Sequence, residues 1–264
     1  MNPVTLGLKR GLKRWQEVAD LNLLKVKGIS VPRIFVKAKG ASSLANNQTI
    51  IIASGLHLEE TSGPLLLLDP SSLLPKLQPA LQKNISFLIY PVINNYGLKY
   101  SPSGPEKLLR NNKQGINYND GWGLTQKKCL EVSLVEKDIL EFGKKQNLSL
   151  VLSLHEDSTA PGKGYLWINA TNAKLRRLIQ KNVTTSIDTS LLIKTKAKSV
   201  QGGKVEAGFM VVNAKDKGSF ENWLADDLKV PTILSEAPFG LDLSTRKNFH
   251  SAIIASCINS RLRV

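Results

Sequence analysis

The sequence predicts an α/β fold in which helices cover a central sheet, and three observations carry the prediction. Residues 49–54 form a continuous apolar run, the pattern of a strand with both sheet faces covered. Strand-like and helix-like segments alternate along the whole chain. Near the end, Phe249, Ile253 and Cys257 recur at i, i+4 spacing, as do Ile254, Ile258 and Leu262, which is the stripe of a helix packed on a core.

The elements follow in order. Residues 33–38 read as a strand, followed by the strand at 49–54. The leucine-rich stretch 62–83 reads as helical despite its prolines, and residues 86–90 form a third strand. A helix at 134–146 leads into a buried strand at 148–154 and another helix at 173–182. A strand at 230–234 and a final helix at about 244–262 complete the series. The polar, Gly- and Asn-containing stretches 101–123 and 200–217 read as loops, the usual place for substrate contacts. No linker divides the chain, so residues 1–264 are expected to form one domain, with its motif-bearing core at about 30–262.

At 264 residues the chain can bury a sizeable core, and 42% hydrophobic with 22% charged residues excludes coiled coil, collagen and wholesale disorder. No fixed-period repeat is present, which excludes solenoids and propellers. No apolar run reaches 18 residues, and charges interrupt every short apolar run at the start. The expectation is therefore a cytoplasmic protein with neither a membrane span nor a secretory signal. Cys129 and Cys257 have no CxxC partner and read as core residues.

The net charge of +15 favours anionic partners without choosing among them. Residues 172–218 hold ten basic side chains against three acidic ones, a pattern whose plain reading is a solvated surface. No zinc-finger, helix-turn-helix or RNP-like pattern supports nucleic acid.

The chain has only three histidines, and two stand at the ends of buried strands beside carboxylates. In IIIASGLHLEE, His57 follows the apolar run and Glu60 comes three residues later, a spacing that lets one zinc ion take both. In LSLHEDS, His155 closes a second buried strand and can supply a third ligand. Glu236, in ILSEAPFG, closes a third strand. Functional groups gather at the carboxyl ends of strands in open α/β sheets, so these three ends point to metal or acid–base chemistry. Asp157 is either a carboxylate orienting an imidazole or a loop residue, and His250, in the last helix, reads as structural.

The segments GLHLEE, PVINNYG, GINYND, SLHED and SEAP, in this order, resemble the zinc carboxypeptidase family. That family comprises the funnelin metallocarboxypeptidases, with the murein peptide amidases and the succinylglutamate desuccinylase/aspartoacylase enzymes as relatives. The resemblance implies a mixed eight-stranded sheet and one catalytic zinc held by His57, Glu60 and His155, with Glu236 as general base. It matches Asn119 to an asparagine that binds a substrate carboxylate. Asp120 stands where the family has an arginine that forks onto that carboxylate, a pairing no aspartate can make. Arg110 lies near a second family arginine that stabilises the oxyanion, one position out of register, and reads equally as a surface residue. Tyr165, in GYLWIN, lines the pocket or is a half-buried strand residue.

Two neutral imidazoles and one carboxylate leave zinc with net positive charge and an open position for water, whose pKa falls to roughly 7. Glu236 is the available proton acceptor, and Arg110 the candidate cation for the oxyanion. The expected activity is zinc-dependent hydrolysis of a peptide or N-acyl amino acid. The expected substrate carries a carboxylate met by Lys196, Lys198 or Lys204. Two alternatives stay open: a zinc-binding relative with altered catalysis acting as a binding module, and a basic nucleic-acid or membrane-surface binder.

Overall fold

The computed structural model describes residues 3–38, 48–100, 104–125, 128–169, 172–196, 205–211 and 218–264. The chain opens with helix α1 (Pro3–Gln16), in which Val4, Gly11 and Trp15 form a narrow buried stripe. The Trp15 indole N–H donates to the Leu67 carbonyl at 2.8 Å. A hairpin of β1 (Asp20–Val26) and β2 (Ile29–Val36) follows, and then β3 (Gln48–Ser54). The helical stretch expected at 62–83 is split into α2 (Ser62–Leu67) and α3 (Pro70–Leu81). Pro70 is the reason: it disfavours helical backbone at Asp69 and suits the first position of a new helix.

Strand β4 (Ile85–Tyr90), helices α4 (Glu106–Arg110) and α5 (Leu130–Gly143), and strands β5 (Asn147–Glu156) and β6 (Tyr165–Asn169) form the middle of the chain. Helix α6 (Ala173–Ser186) leads to the short strands β7 (Thr195–Lys196), β8 (Val205–Glu206) and β9 (Phe209–Val211). A single turn, α7 (Phe220–Asn222), runs into a π-helical turn at Trp223–Asp227 before β10 (Thr232–Ala237) and the long helix α8 (Leu243–Arg261).

These strands make one mixed sheet in the order β1-β2-β4-β3-β5-β10-β6-β9-β8-β7. Eight of them form its body. The two-residue strands β7 and β8 extend one edge, which brings the described sheet to ten where eight were expected. At the centre β4, β3, β5 and β10 run parallel, and their side chains alternate between two cores. Ile50 and Ile52 face α3, α6 and α8, while Ile51 and Ala53 face α5 and the Trp122–Trp223 cluster. Coverage of both faces explains the unbroken apolar run of β3.

The cysteines lie free and buried, as expected for core residues. Among the described residues no helix is long and apolar enough to cross a membrane.

Candidate metal centre

The parallel arrangement brings three carboxyl ends together: Ser54 of β3 pairs with Leu154 of β5, and His155 pairs with Glu236 of β10. Past β3 the chain turns sharply at Gly55, whose φ is +66°. A Cβ there would sit 2.9 Å from the Val92 Cα and 3.1 Å from the Pro91 carbonyl, so only glycine fits against the neighbouring loop. The turn is fastened by Asn94 N–H donating to the Gly55 carbonyl at 2.8 Å and by Ser54 Oγ donating to the Pro91 carbonyl at 2.7 Å. It carries His57 and Glu60 back over the end of the sheet, just before α2.

The two imidazoles converge on one carboxylate. His57 Nδ1 lies 2.7 Å from Glu60 Oε1, and His155 Nδ1 lies 2.8 Å from Glu60 Oε2. Ligand atoms from the three residues fall within 4.8 Å of one another, and all three side chains are buried. The His57 and His155 ring centroids are 5.5 Å apart at 71°.

From behind, His57 Nε2 is 3.1 Å from Asn117 Oδ1, and that oxygen also accepts the Asn119 N–H at 2.7 Å. An amide nitrogen could not accept the Asn119 N–H, so the orientation of the Asn117 amide is fixed and His57 Nε2 must be the donor. The Nδ1 lone pair of neutral His57 therefore points straight at a carboxylate oxygen. Only a proton or a metal cation between them makes that contact favourable, so this donor set fits a cation held by His57, Glu60 and His155. Burial would raise the Glu60 carboxyl, but positive charge carried at the two imidazoles outweighs it and holds it well below the usual carboxylate range.

These residues line a pocket of about 380 Å³ with Arg110, Asn119, Asp120, Tyr165 and Glu236. Burial pushes the Glu236 carboxyl well above its ordinary range. His155 opposes the shift, while the nearby Glu60, Asp157 and Glu221 add to it. Its Oε2 is enclosed and has no hydrogen-bond partner.

Arg110 ends α4, and the small hairpin beyond it, closed by the Asn111–Asn117 bridge, returns the chain to the pocket. Its guanidinium is paired with Glu59 and lies 3.3 Å from Glu60 Oε1. It is thus inside the site. Asp120 is exposed at the rim.

Asn119 lines the pocket, but both ends of its amide are engaged within the protein. Its Oδ1 accepts the Phe220 N–H at 2.9 Å, and its Nδ2 donates to Glu221 Oε2 at 3.2 Å. Tyr165 also lines the pocket, with its hydroxyl donating to Asp157 Oδ2 at 3.0 Å. Asp157 further accepts from Thr159 N and Oγ1. The carboxylate behind His155 is Glu221, whose Oε1 lies 3.2 Å from His155 Nε2. His250 is buried in α8 against Ser235, Nδ1 to Oγ 2.9 Å, in line with its structural reading. Lys198 and Lys204 lie outside the described residues, as does the side chain of Lys196.

Comparison with solved structures places this architecture. A candidate metallopeptidase from Shewanella denitrificans OS217 matches with a TM-score of 0.69 at 22% identity, over 97% of this chain and 88% of that one. A metallo-carboxypeptidase from Burkholderia cenocepacia matches with a TM-score of 0.70 at 13% identity, over 96% and 68%. Carboxypeptidase A from Helicoverpa armigera matches at 0.61 and 13%, over 97% and 70%. The chain has the metallocarboxypeptidase fold. No protein-family model matches the sequence, and comparison with curated proteins finds no significant relative.

Within the metallocarboxypeptidase fold, Asn117 and Glu221 back the two imidazoles without standing out in the sequence. The i, i+2 spacing of Asn117 and Asn119 after a Gly was the available signal for the first. Glu221 had none, because its approach to His155 depends on where α7 packs.

Proposed function

We propose that this protein is a zinc-dependent amide hydrolase that cleaves a peptide or an N-acyl amino acid. One observation carries the reading: two imidazole Nδ1 atoms close on the two oxygens of a single carboxylate at the ends of β3 and β5, with Glu236 in register beside His155. The metallocarboxypeptidase fold supports it independently.

Bound by His57, Glu60 and His155, zinc would supply Lewis-acid polarisation of a water molecule and of the scissile carbonyl. The chain's own groups account for the remaining steps. Glu236, in register beside His155 with one enclosed oxygen that has no partner, accepts a proton from the attacking water and returns it to the departing nitrogen. Arg110, aimed by Glu59 and Glu60, stands in the pocket as a fixed positive charge for the oxygen that becomes negative. Asn117 fixes the tautomer of His57. Tyr165 and Asp120 form part of the pocket wall that the substrate meets.

The test is zinc content and turnover on a panel of short peptides and N-acyl amino acids. Wild-type protein is expected to hold one zinc per chain and to hydrolyse at least one member. His57→Ala and His155→Ala are expected to lose the zinc while keeping the circular-dichroism spectrum. If both variants retain wild-type zinc, the ligand assignment is wrong.

A further inference from the structure

His155 is backed by a buried carboxylate. Glu221 is 1% exposed, and its two oxygens reach in different directions, Oε1 to His155 Nε2 at 3.2 Å and Oε2 to Asn119 Nδ2 at 3.2 Å. Both atoms of the first contact are sealed from solvent, and the Ser153 hydroxyl is another side-chain group beside the Glu221 carboxylate. The pair stands at ion-pair distance.

The backbone aims Glu221 inward. Ser219 caps the turn by accepting the Asn222 N–H at 3.2 Å, and the rings of Phe220 and Trp223 pack on Trp122 at 4.7 and 5.5 Å. Asn119 then holds Glu221 in place, because its Oδ1 takes the Phe220 N–H and only the amide nitrogen remains to face the carboxylate. A buried carboxylate is costly unless a positive charge compensates it. Here that charge can come from the cation the imidazole carries.

The two imidazoles are supported differently, His57 by a neutral amide and His155 by an anion. Accepting the Nε2–H leaves the lone pair of His155 on Nδ1, the atom that faces Glu60, and a carboxylate acceptor makes that nitrogen the stronger donor. We infer that Glu221 is the positioning residue of the second metal-binding imidazole and that Asn119 serves to hold Glu221. The inference rests on the proposed metal centre at His57, Glu60 and His155.

The experiment measures zinc affinity of the metal-free full chain by competition with a chromophoric chelator, alongside the visible spectrum of the cobalt-loaded protein. Glu221→Leu is expected to weaken zinc binding 10- to 100-fold and to alter the cobalt bands. Glu221→Gln keeps the shape and one acceptor without the charge, and it should recover part of the loss, to about 10-fold. Asn119→Ala, which frees Glu221 without removing it, should fall between Glu221→Gln and wild type. If Glu221→Leu does not fold, the near-isosteric Gln variant decides. Wild-type affinity and unchanged cobalt bands in Glu221→Gln would overturn the positioning role while leaving the metal centre intact. A wild-type protein that binds no zinc would overturn the metal centre itself, and the positioning role with it.

Discussion

Glu236 and His155 stand opposite one another as Cα partners on the parallel strands β10 and β5, each one residue before its strand ends. Their side chains therefore leave the same face of the sheet into the same pocket. This register separates the proposed roles: His155 turns Nδ1 to Glu60, while Glu236 keeps one oxygen without a partner. Glu236→Gln preserves the shape and removes the proton acceptor. On a substrate turned over by the wild type, kcat is expected to fall by about 10² to 10⁴ with zinc content unchanged. Near-normal turnover would remove Glu236 from the mechanism.

The centre of this fold was legible because its strands advertise themselves. Long apolar runs locate β3 and β5, and His57, Glu60 and His155 adjoin them in a chain poor in histidine. Elements that depend on distant partners were not legible. The buried stripe of α1 is only Val4, Gly11 and Trp15, set among lysines and arginines, and it gains meaning from α2 packing over it. Strands β7, β8 and β9 are two or three residues long, too short for any period to show. Asn119 was picked out by its motif, yet its partners are Phe220 and Glu221, about a hundred residues away in sequence.

Gly164 precedes β6, where the chain passes very close to β10. A Cβ added there would lie 2.5 Å from the Glu236 carbonyl oxygen and 2.7 Å from the Phe249 ring. The first contact is with the backbone of a central strand, which cannot swing aside as a flexible side chain can. Gly164→Ala is therefore expected to destabilise the fold by about 1–3 kcal/mol, the usual cost of overpacking, and to displace the end of β10 that carries Glu236. Urea midpoints and kcat should both fall. An unchanged midpoint would mean that β6 and β10 are not in this close contact.

His250 links stability to pH. It is fully buried on α8 with Ser235 as its hydrogen-bond partner, and its Nε2 has none. Burial pushes its pKa down to about 3, and positive charge held at His155 on β5 and on Arg246 of its own helix acts in the same direction, against Glu60. In the unfolded chain the imidazole titrates near 6.5. Between these two values the unfolded state binds a proton that the folded state refuses. Stability must therefore decline as pH drops below about 6.5, by up to about 1.4 kcal/mol per unit, and be flat in this respect above it. Other buried groups titrate too, so the measurement is a difference: unfolding free energies of wild type and His250→Asn from pH 8 to pH 4. The variant loses packing at every pH, which adds a constant offset, but it should also lose the acid-side slope. A wild-type-minus-variant difference that stays level down to pH 4 would show that His250 does not resist protonation in the folded protein.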